Sequence, residues 1–422
     1  MRDLNAETRR APSGRTVVAS MLVGGLACVA LALGGVASAQ ARLEPVAENL
    51  ASPTNLAFAP DGRILFTEQQ TGRVRALLNG RLVPRAITQV DVVQGAETGL
   101  LGIALHPNLA SQPWVYVYLS SASSGRNEIV RFRIDEAATT RETVFQGLPT
   151  VNGYHNGGDL VFGPDGALYV VTGEAHQPEL AQDPASVGGK VLRLLPDGSI
   201  PPDNPFGAGD PVFALGIRNS FGLCFDPRTG DLWETENGPD RDDEVNRVEP
   251  GGNLGWPVEL GRGTDSRFIQ PELVFPDIIV PTGCAFSSSG RAMYFGDFAG
   301  GNLHRATVTE SGSIADERVI ARASSGITDV ARAPTGDIYV ATSDSILRLA
   351  ATSPETPSPT SATPTPSPSP GGSGTGSRAA EGSSGVRTAV VVGLVVVLAA
   401  GFVARALAGR RLRRQTRGDD GR

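Results

Sequence analysis

The sequence has few cysteines, few aromatic residues and no excess of basic residues. Its 422 residues include 3 Cys, and aromatic residues make up 6% of the chain. Only Cys224 and Cys284 follow residue 40, which excludes a disulfide-rich scaffold. In an oxidising compartment these two could form one disulfide, or they could remain buried thiols. Between Gln40 and Val386, 25 Lys plus Arg stand against 40 Asp plus Glu, a net charge of −15. We therefore expect no nucleic-acid partner, because nucleic-acid binding requires a basic patch.

Glycine and proline, in contrast, are abundant. The chain contains 52 Gly and 31 Pro, and 40% of its residues are apolar. This composition favours many short strands joined by turns over long helices. A chain of this length can form one large all-β domain.

The N-terminal segment predicts a secretory signal peptide over residues 1–39. Arg9, Arg10 and Arg15 precede an apolar run at 17–36, and residues 37–39 (Ala-Ser-Ala) form a small-residue cleavage site. The run is also long enough to remain as an uncleaved membrane anchor.

The C-terminal segment predicts a stalk and a membrane anchor. Residues 351–386 are rich in Pro, Ser, Thr and Gly and cannot bury enough apolar surface to fold. Residues 387–408 are predicted to form a transmembrane helix, and 409–422 a basic cytoplasmic tail. The chain would then be a single-pass protein of the cell membrane, with residues 40–350 outside the cytoplasm.

Internal repeats predict the fold of residues 40–350. Apolar segments recur around turns such as Pro-Asp-Gly, where Pro fixes φ and Gly accepts positive φ. Each unit therefore predicts strand, turn, strand, and six units with this spacing predict an all-β, six-bladed β-propeller. Two β-sandwiches would lack the six-fold rhythm. Alternating apolar residues at 168–172 predict a strand packed on both faces. The units begin at Leu56, Ile103, Leu160, Leu223, Cys284 and Val330.

Five ordered motifs between Asn49 and Ala350 resemble one known family. They are GLLGIALHP, HNGGDLVFGPDGALYVVTGE, GGKVLRLLPDGSIPPDNPF, GIRNSFGLCFDP and TENGPDRDDEVNRVEPGGNLGWP. The chain resembles the glucose/sorbosone dehydrogenases that use pyrroloquinoline quinone (PQQ). The resemblance implies a six-bladed propeller with PQQ, Ca²⁺ and a sugar at one face. It also implies oxidation of an aldose at its anomeric carbon to the lactone, with a respiratory electron acceptor as a further partner.

The resemblance makes His155 the catalytic base. An imidazole is suited to accept the hydroxyl proton while hydride leaves the sugar carbon. A histidine that only caps a turn is the alternative. Three other histidines are weaker candidates: His106 and His304 are expected to pack in strands, and His176 lies on a loop.

The resemblance also implies cofactor and metal ligands. Arg218 and Asn219 in RNSFG occupy the place of quinone contacts, and Arg218 can stabilise negative charge that develops on the quinone. Glu97 lies where some members place a polar side chain beside the cofactor. The backbone carbonyls of Gly238 and Pro239 resemble the ligands of the bridging Ca²⁺, a cation that prefers oxygen.

One part of the sequence departs from the family pattern. Members that bind PQQ strongly carry late basic residues that pair with its carboxylates. Here Arg305 and Arg332 are out of register, and Thr328 stands where an arginine is typical. Besides an aldose dehydrogenase, two alternatives therefore stay open. These are a non-catalytic propeller that binds carbohydrate or protein, and a Ca²⁺-dependent lactonase-type hydrolase.

Overall fold

The computed structural model describes residues 41–136, 140–150 and 153–350. In these ranges 25 strands form six antiparallel sheets, and one short 3₁₀ helix spans Pro178–Ala181. The predicted all-β, six-bladed propeller is confirmed. Each predicted repeat begins in the first strand of one blade and continues into the second.

The blades follow one another along the chain. Blade 1 contains β2 (Pro53–Phe58), β3 (Arg63–Glu68), β4 (Arg73–Leu78), β5 (Arg81–Leu82) and β6 (Thr88–Gln89). Blade 2 contains β7 (Leu100–Leu105), β8 (Trp114–Ser120), β9 (Asn127–Arg133) and β10 (Glu142–Leu148). Blade 3 contains β11 (Gly157–Phe162), β12 (Leu168–Thr172), β13 (Lys190–Leu194) and β14 (Val212–Leu215). Blade 4 contains β15 (Ser220–Phe225), β16 (Leu232–Glu236), β17 (Asp243–Val248) and β18 (Leu273–Phe275). Blade 5 contains β19 (Pro281–Phe286), β20 (Ala292–Asp297), β21 (Asn302–Val308) and β22 (Ile314–Arg322). Blade 6 contains β23 (Ile327–Arg332), β24 (Ile338–Thr342), β25 (Ile346–Leu349) and β1 (Leu43–Ala47).

The N-terminal strand closes the ring. β1 pairs antiparallel with β25, with Leu43 opposite Leu349, so both ends of the described chain share blade 6. The first strand of each blade contacts the first strand of the next, and β23 contacts β2. Closure leaves no gap between the first blade and the last.

Apolar side chains pack between neighbouring blades. The described residues contain six hydrophobic clusters, one at each interface between blades. In β12, Leu168 and Val170 pack toward blade 2, whereas Tyr169 and Val171 pack toward blade 4. The predicted two-sided strand is confirmed.

Each first strand places a small or hydrogen-bonding residue next to the propeller axis. The acceptor side chains bind the backbone N–H of another blade: Asn55 accepts from Ile103 at 2.9 Å, Asp159 from Leu223 at 2.6 Å and Asp329 from Leu56 at 2.8 Å. The equivalent positions in the other blades are glycines whose Cβ would lie 2.5 Å or less from a neighbouring oxygen: Gly102, Gly222 and Gly283. Side-chain size at this position therefore sets how closely the blades approach.

One disulfide joins two blades. Cys224 in β15 and Cys284 in β19 are bonded, so the bridge connects the first strands of blades 4 and 5. Both cysteines are buried, and the bond resolves the choice between a disulfide and free thiols.

The predicted terminal segments lie outside the described residues. These segments are the signal peptide (1–39), the stalk (351–386), the transmembrane helix (387–408) and the cytoplasmic tail (409–422). Within the described ranges, no helix combines the length and apolarity needed to span a membrane.

Candidate active site

The predicted site residues meet at one end of the propeller, which we call the top face. At this end the first strand of each blade begins and the second strand finishes, as the pairings Gly157 with Thr172 and Ser220 with Glu236 show. His155 precedes β11, Arg218 and Asn219 precede β15, and Gly238 follows β16. Their shared location follows from the antiparallel order of the strands.

His155 forms a pair with Glu174. The side chain of His155 is buried, and its Nδ1 lies 2.8 Å from Glu174 Oε1. The other oxygen of Glu174 accepts the backbone N–H of Gln177 at 2.7 Å. Burial lowers the pKa of His155, and the positive charge of Arg218 lowers it further, while the hydrogen bond with Glu174 raises it. A neutral imidazole whose Nδ1–H donates to Glu174 keeps its Nε2 lone pair available as a base.

A glycine allows this pair to form. Gly173 links β12 to Glu174, and a Cβ at this position would lie 2.1 Å from the backbone carbonyl oxygen of His155. Any larger residue would push the loop that carries Glu174 away from His155. His155 itself has a φ of 54°, a left-handed conformation that is uncommon for residues other than glycine.

Glu97 connects the base to the residues that precede β15. Its Oε2 accepts the backbone N–H of His155 at 2.7 Å and the Nδ2–H of Asn219 at 3.1 Å. Burial raises the pKa of the Glu97 carboxyl. One carboxylate thus joins residues from two separate sequence motifs.

Glu236 holds Arg218 and Asn219 in place. Its two carboxylate oxygens accept the backbone N–H groups of Arg218 at 2.8 Å and Asn219 at 2.7 Å. Burial raises the pKa of Glu236 to about 8. The Arg218 guanidinium donates from Nη1 to the carbonyl of Asn237 at 2.8 Å and lies 5.6 Å from the ring centroid of Trp256. Among the described residues its other N–H groups have no protein acceptor, so they can bind an anionic ligand.

Through hydrogen bonds, Asp243 fixes the backbone of the segment that is predicted to bind Ca²⁺. This carboxylate accepts the N–H groups of Gly238, Ile279 and Val280 at 2.7–2.8 Å. Within the described ranges, the carbonyl oxygen of Gly238 accepts no hydrogen bond, and the buried Oδ1 of Asn237 has no partner. Uncommitted oxygens fit a hard cation.

Side-chain carboxylates do not form a metal site of their own in the described part of the chain. No group of three or more His, Cys, Asp or Glu there is arranged to hold a metal ion. A calcium ion at this loop would therefore depend on backbone carbonyls, such as those of Gly238 and Pro239.

The surroundings of Arg218 are acidic. Burial lowers the pKa of Arg218, and four nearby acidic groups raise it by less: Glu236, Glu174, Glu97 and Asp243. Such a face favours a divalent cation and disfavours a ligand with several carboxylates unless that cation is present.

The late basic residues do not reach this face. Arg332 ends β23 beside the turn at the opposite end of the blade, and Arg305 lies in the middle of β21 opposite Tyr294. Thr328 donates from its hydroxyl to the carbonyl of Pro53 at 2.8 Å and so links blades 6 and 1. None of the three supplies a cation to the site.

The sequence interpretation missed two carboxylates and the position of one histidine. Glu174 and Glu236 were not singled out, although both lie where a second strand of a blade ends at the top face. His176 was ranked as a weaker candidate on a loop, but its Nε2 lies 3.0 Å from His155 Nε2. The ring packing that brings these nitrogens together leaves no signal in the sequence.

The two remaining histidines lie away from the site. His304 lies in β21, as expected, and its ring nitrogens contact Asp297 and Glu317. His106 follows β7 directly instead of lying within it, and its Nδ1 accepts the N–H of Asn108 at 3.1 Å.

Comparison with known proteins places the chain in a family. The model of the family described as Glucose / Sorbosone dehydrogenase matches residues 50–350. The chain belongs to the glucose/sorbosone dehydrogenase family. The match covers nearly all of the described propeller and every predicted site residue.

Several relatives are named as sugar dehydrogenases, whereas others are named Hedgehog-interacting proteins. The aldose sugar dehydrogenase of Escherichia coli is 29% identical over 78% of this chain and 97% of its own length. Quinoprotein glucose dehydrogenase B of Acinetobacter calcoaceticus is 33% identical over 53% of this chain and 54% of its own. The PQQ-bound structure of the aldose sugar dehydrogenase of Streptomyces coelicolor is 35% identical, with a TM-score of 0.67, over 72% of this chain and 96% of that one. The family and these relatives support an oxidoreductase that acts on sugars.

Proposed function

We propose that this protein oxidises an aldose at its anomeric carbon to the lactone, with PQQ as hydride acceptor and Ca²⁺ as bridging metal. The observation that carries the proposal is the pair formed by His155 and Glu174, at 2.8 Å, beside the donors of Arg218. Family membership supplies the reaction class.

Each site residue has a distinct role in this reaction. His155 accepts the hydroxyl proton at Nε2, and Glu174 orients the imidazole and stabilises its charged form. Arg218 and Asn219 offer donors to oxygens that become more negative. When bound, PQQ supplies the acceptor for the hydride, and Gly238 and Pro239 would hold the Ca²⁺ beside it.

The acidic surroundings of Arg218 affect the order in which Ca²⁺ and PQQ bind. A cofactor with several carboxylates would meet mainly Arg218 as a cation, so Ca²⁺ at the Gly238 loop would be needed to offset repulsion from the acidic groups. We therefore expect PQQ binding to depend strongly on calcium.

The absence of the late basic residues from the top face supports one alternative function. A propeller that lacks the late basic residues could bind a carbohydrate or a protein at its top face without redox chemistry. The two functions can be distinguished, because only the dehydrogenase forms an oxidised sugar.

The deciding experiment is reconstitution of the purified protein with PQQ and Ca²⁺. We expect reduction of a dye with at least one aldose from a panel. His155→Ala should then lower the rate of the chemical step by roughly 10²–10⁴, the usual contribution of a positioned base, with little change in folding. His106→Gln serves as the matched control, because that residue lies away from the site. A parent protein that reduces no dye with any aldose would favour the binding propeller.

We also propose that the propeller lies outside the cytoplasm and is anchored by a helix at 387–408. The buried disulfide between Cys224 and Cys284 supports an oxidising compartment. A respiratory acceptor in the same membrane would then lie within reach. Protease added to intact cells should release a folded fragment that ends within 351–386, and full protection of the chain would refute this arrangement.

A further inference from the structure

A second histidine contacts the base of the proposed site. His176 Nε2 lies 3.0 Å from His155 Nε2, and the two rings meet edge to face with centroids 4.0 Å apart. One face of His176 stacks against the ring of Tyr154, with ring centroids 5.6 Å apart and an interplanar angle of 11°. Tyr154 and His176 are both exposed, whereas His155 is buried.

Among the described residues, the contacts of His155 leave one route for a proton through another side chain. Its Nδ1 is engaged by Glu174 and its backbone N–H by Glu97. Its Nε2 contacts His176, whose own Nδ1 has no hydrogen bond to any described residue. A proton on His155 Nε2 can thus reach water through the exposed ring of His176.

We infer that His176 is the proton carrier of this site, which takes the sugar's proton from His155 and releases it to solvent from Nδ1. The inference rests on the proposed function, since an aldose oxidation delivers one proton to His155 in each turnover.

The steps balance in protons. The sugar hydroxyl gives its proton to His155 Nε2 as hydride leaves the carbon. His176, with a proton on Nδ1 and a lone pair on Nε2, accepts the proton from His155 and becomes an imidazolium. It then loses its Nδ1 proton to water. His155 regains its lone pair, and His176 is left with Nε2–H, which donates to His155.

The final state, in which His176 Nε2–H donates to His155 Nε2, matches the 3.0 Å contact between these two nitrogens. The sugar hydroxyl and His176 compete for the same lone pair of His155. His176 must therefore move aside when the sugar binds and return after the product leaves. While it is displaced, its exposed ring exchanges protons with water and regains the Nδ1–H form with a free Nε2 lone pair, which closes the cycle.

The charges around both rings favour rapid release of the proton. Burial lowers the pKa of His176, and the positive charges of His155 and Arg218 lower it further, while Glu174 and Glu97 raise it. Burial also lowers the pKa of His155. Neither imidazole thus retains a proton strongly at neutral pH.

Two substitutions separate proton transfer from simple positioning. In His176→Gln the side-chain amide can still donate to His155 but cannot carry a proton, whereas His176→Phe keeps a ring against Tyr154 without any nitrogen. In weak buffer we expect kcat to fall in both variants by roughly tenfold, less than the 10²–10⁴ of a group that acts on the substrate itself, because His176 acts only on His155. Added imidazole should restore kcat in both. Tyr154→Phe, which keeps the stacked ring, is the matched control and should retain the parent kcat.

A measurement that requires no activity tests the contact itself. The chain contains 4 histidines, so their ring signals can be assigned in nitrogen-15 NMR spectra by single substitutions. His155→Gln should raise the pKa of His176, because the charge of His155 lowers it in the parent. An unchanged titration of His176 would show that the rings do not interact, and the inference would fail.

The outcomes distinguish the two proposals. An active parent whose His176→Gln variant keeps full kcat in weak buffer overturns the carrier role and leaves the proposed function intact. An inactive parent with coupled histidine titrations overturns the proposed function, and the carrier role with it, although the contact stands.

Discussion

The carboxylate of Glu97 accepts the backbone N–H of His155 at 2.7 Å, across 58 residues of sequence. The same oxygen accepts a hydrogen bond from Asn219. Glu97 therefore fixes the distance between the proposed base and the segment that carries Arg218. Three blades supply these residues, so the alignment of the blades controls the geometry of the site.

Replacing Glu97 with Gln should impair turnover more than folding. The amide oxygen cannot hold two donors as strongly as a carboxylate, and a hydrogen bond to a charged group contributes about 1.5–3 kcal/mol. We expect kcat to fall by roughly ten- to a hundredfold, with a small change in Tm. Steady-state dye reduction and calorimetry measure both quantities. Glu48→Gln, an exposed change of the same chemistry, should alter neither. Equal activity in the two variants would contradict the proposed role of Glu97.

Replacing Arg218 with Lys should weaken the redox step without loss of calcium-dependent stability. Lysine keeps the charge but lacks the planar set of donors that can serve Asn237 and a ligand together. We expect dye reduction to fall by about tenfold or more, while the rise of Tm with Ca²⁺ persists. Loss of both properties in the folded variant would show that Arg218 acts on the metal loop instead.

Calcium should stabilise the native protein through the Gly238 loop. A ligand that binds only the folded state at a hundredfold excess over its Kd adds about 2.7 kcal/mol. Tm should therefore rise with calcium concentration and return to its original value with chelator. Asp243→Ala should abolish this rise, because Asp243 holds the N–H of Gly238. Asp240→Ala, in the exposed part of the same loop, is the control. No shift in the parent across the millimolar range would refute the calcium site.

Removing the disulfide should destabilise the propeller without altering the top face. Cys224 and Cys284 are separated by 60 residues, and a loop of that size corresponds to about 4 kcal/mol of chain entropy in the unfolded state. The variant with Ala at both positions should unfold at a lower urea concentration than the parent. Reductant should shift the parent only after it unfolds, since the bridge is buried. An unchanged midpoint would mean that the bond adds no stability.

Buried carboxyls near the propeller axis should make stability fall as pH rises. Burial raises the pKa of Asp159 to about 7 and that of Asp329 well above its usual range. A carboxyl with a higher pKa in the folded state stabilises fully below its unfolded pKa and loses that contribution as pH rises toward the folded value. For Asp159 this loss spans roughly pH 4 to 7.

Asp329→Asn should flatten this pH dependence. The asparagine does not titrate, so the loss of unfolding free energy between pH 4 and 8 should shrink by at least about 1 kcal/mol, since one pKa unit is worth about 1.4 kcal/mol. Urea unfolding at several pH values measures how the free energy of unfolding depends on pH. Asp337→Asn, in an exposed turn, should leave the profile unchanged. A profile equally steep in Asp329→Asn and in the parent would contradict a buried, titrating Asp329.

Much of the fold follows from local sequence. The turns near Gly62 and Gly166 require positive φ, which glycine adopts freely, and the apolar residues of 168–172 alternate with the period of a strand. Because both features are local, the number of blades and the two-sided packing of β12 could be predicted. The resemblance to a family then located His155, Glu97, Arg218 and Asn219 on one face.

Contacts between distant residues could not be predicted from local sequence. The Cys224–Cys284 bond depends on the distance between blades 4 and 5, and the sequence left both bonded and free cysteines open. The approach of His176 to His155 depends on how the loop after Gly173 folds back onto β11, which no local pattern specifies. Sequence alone thus determined the strands, the repeat and the chemical types of residue at the top face. Tertiary structure decided which of them share hydrogen bonds and protons, because ring closure brings together segments whose separation along the chain carries no information about distance.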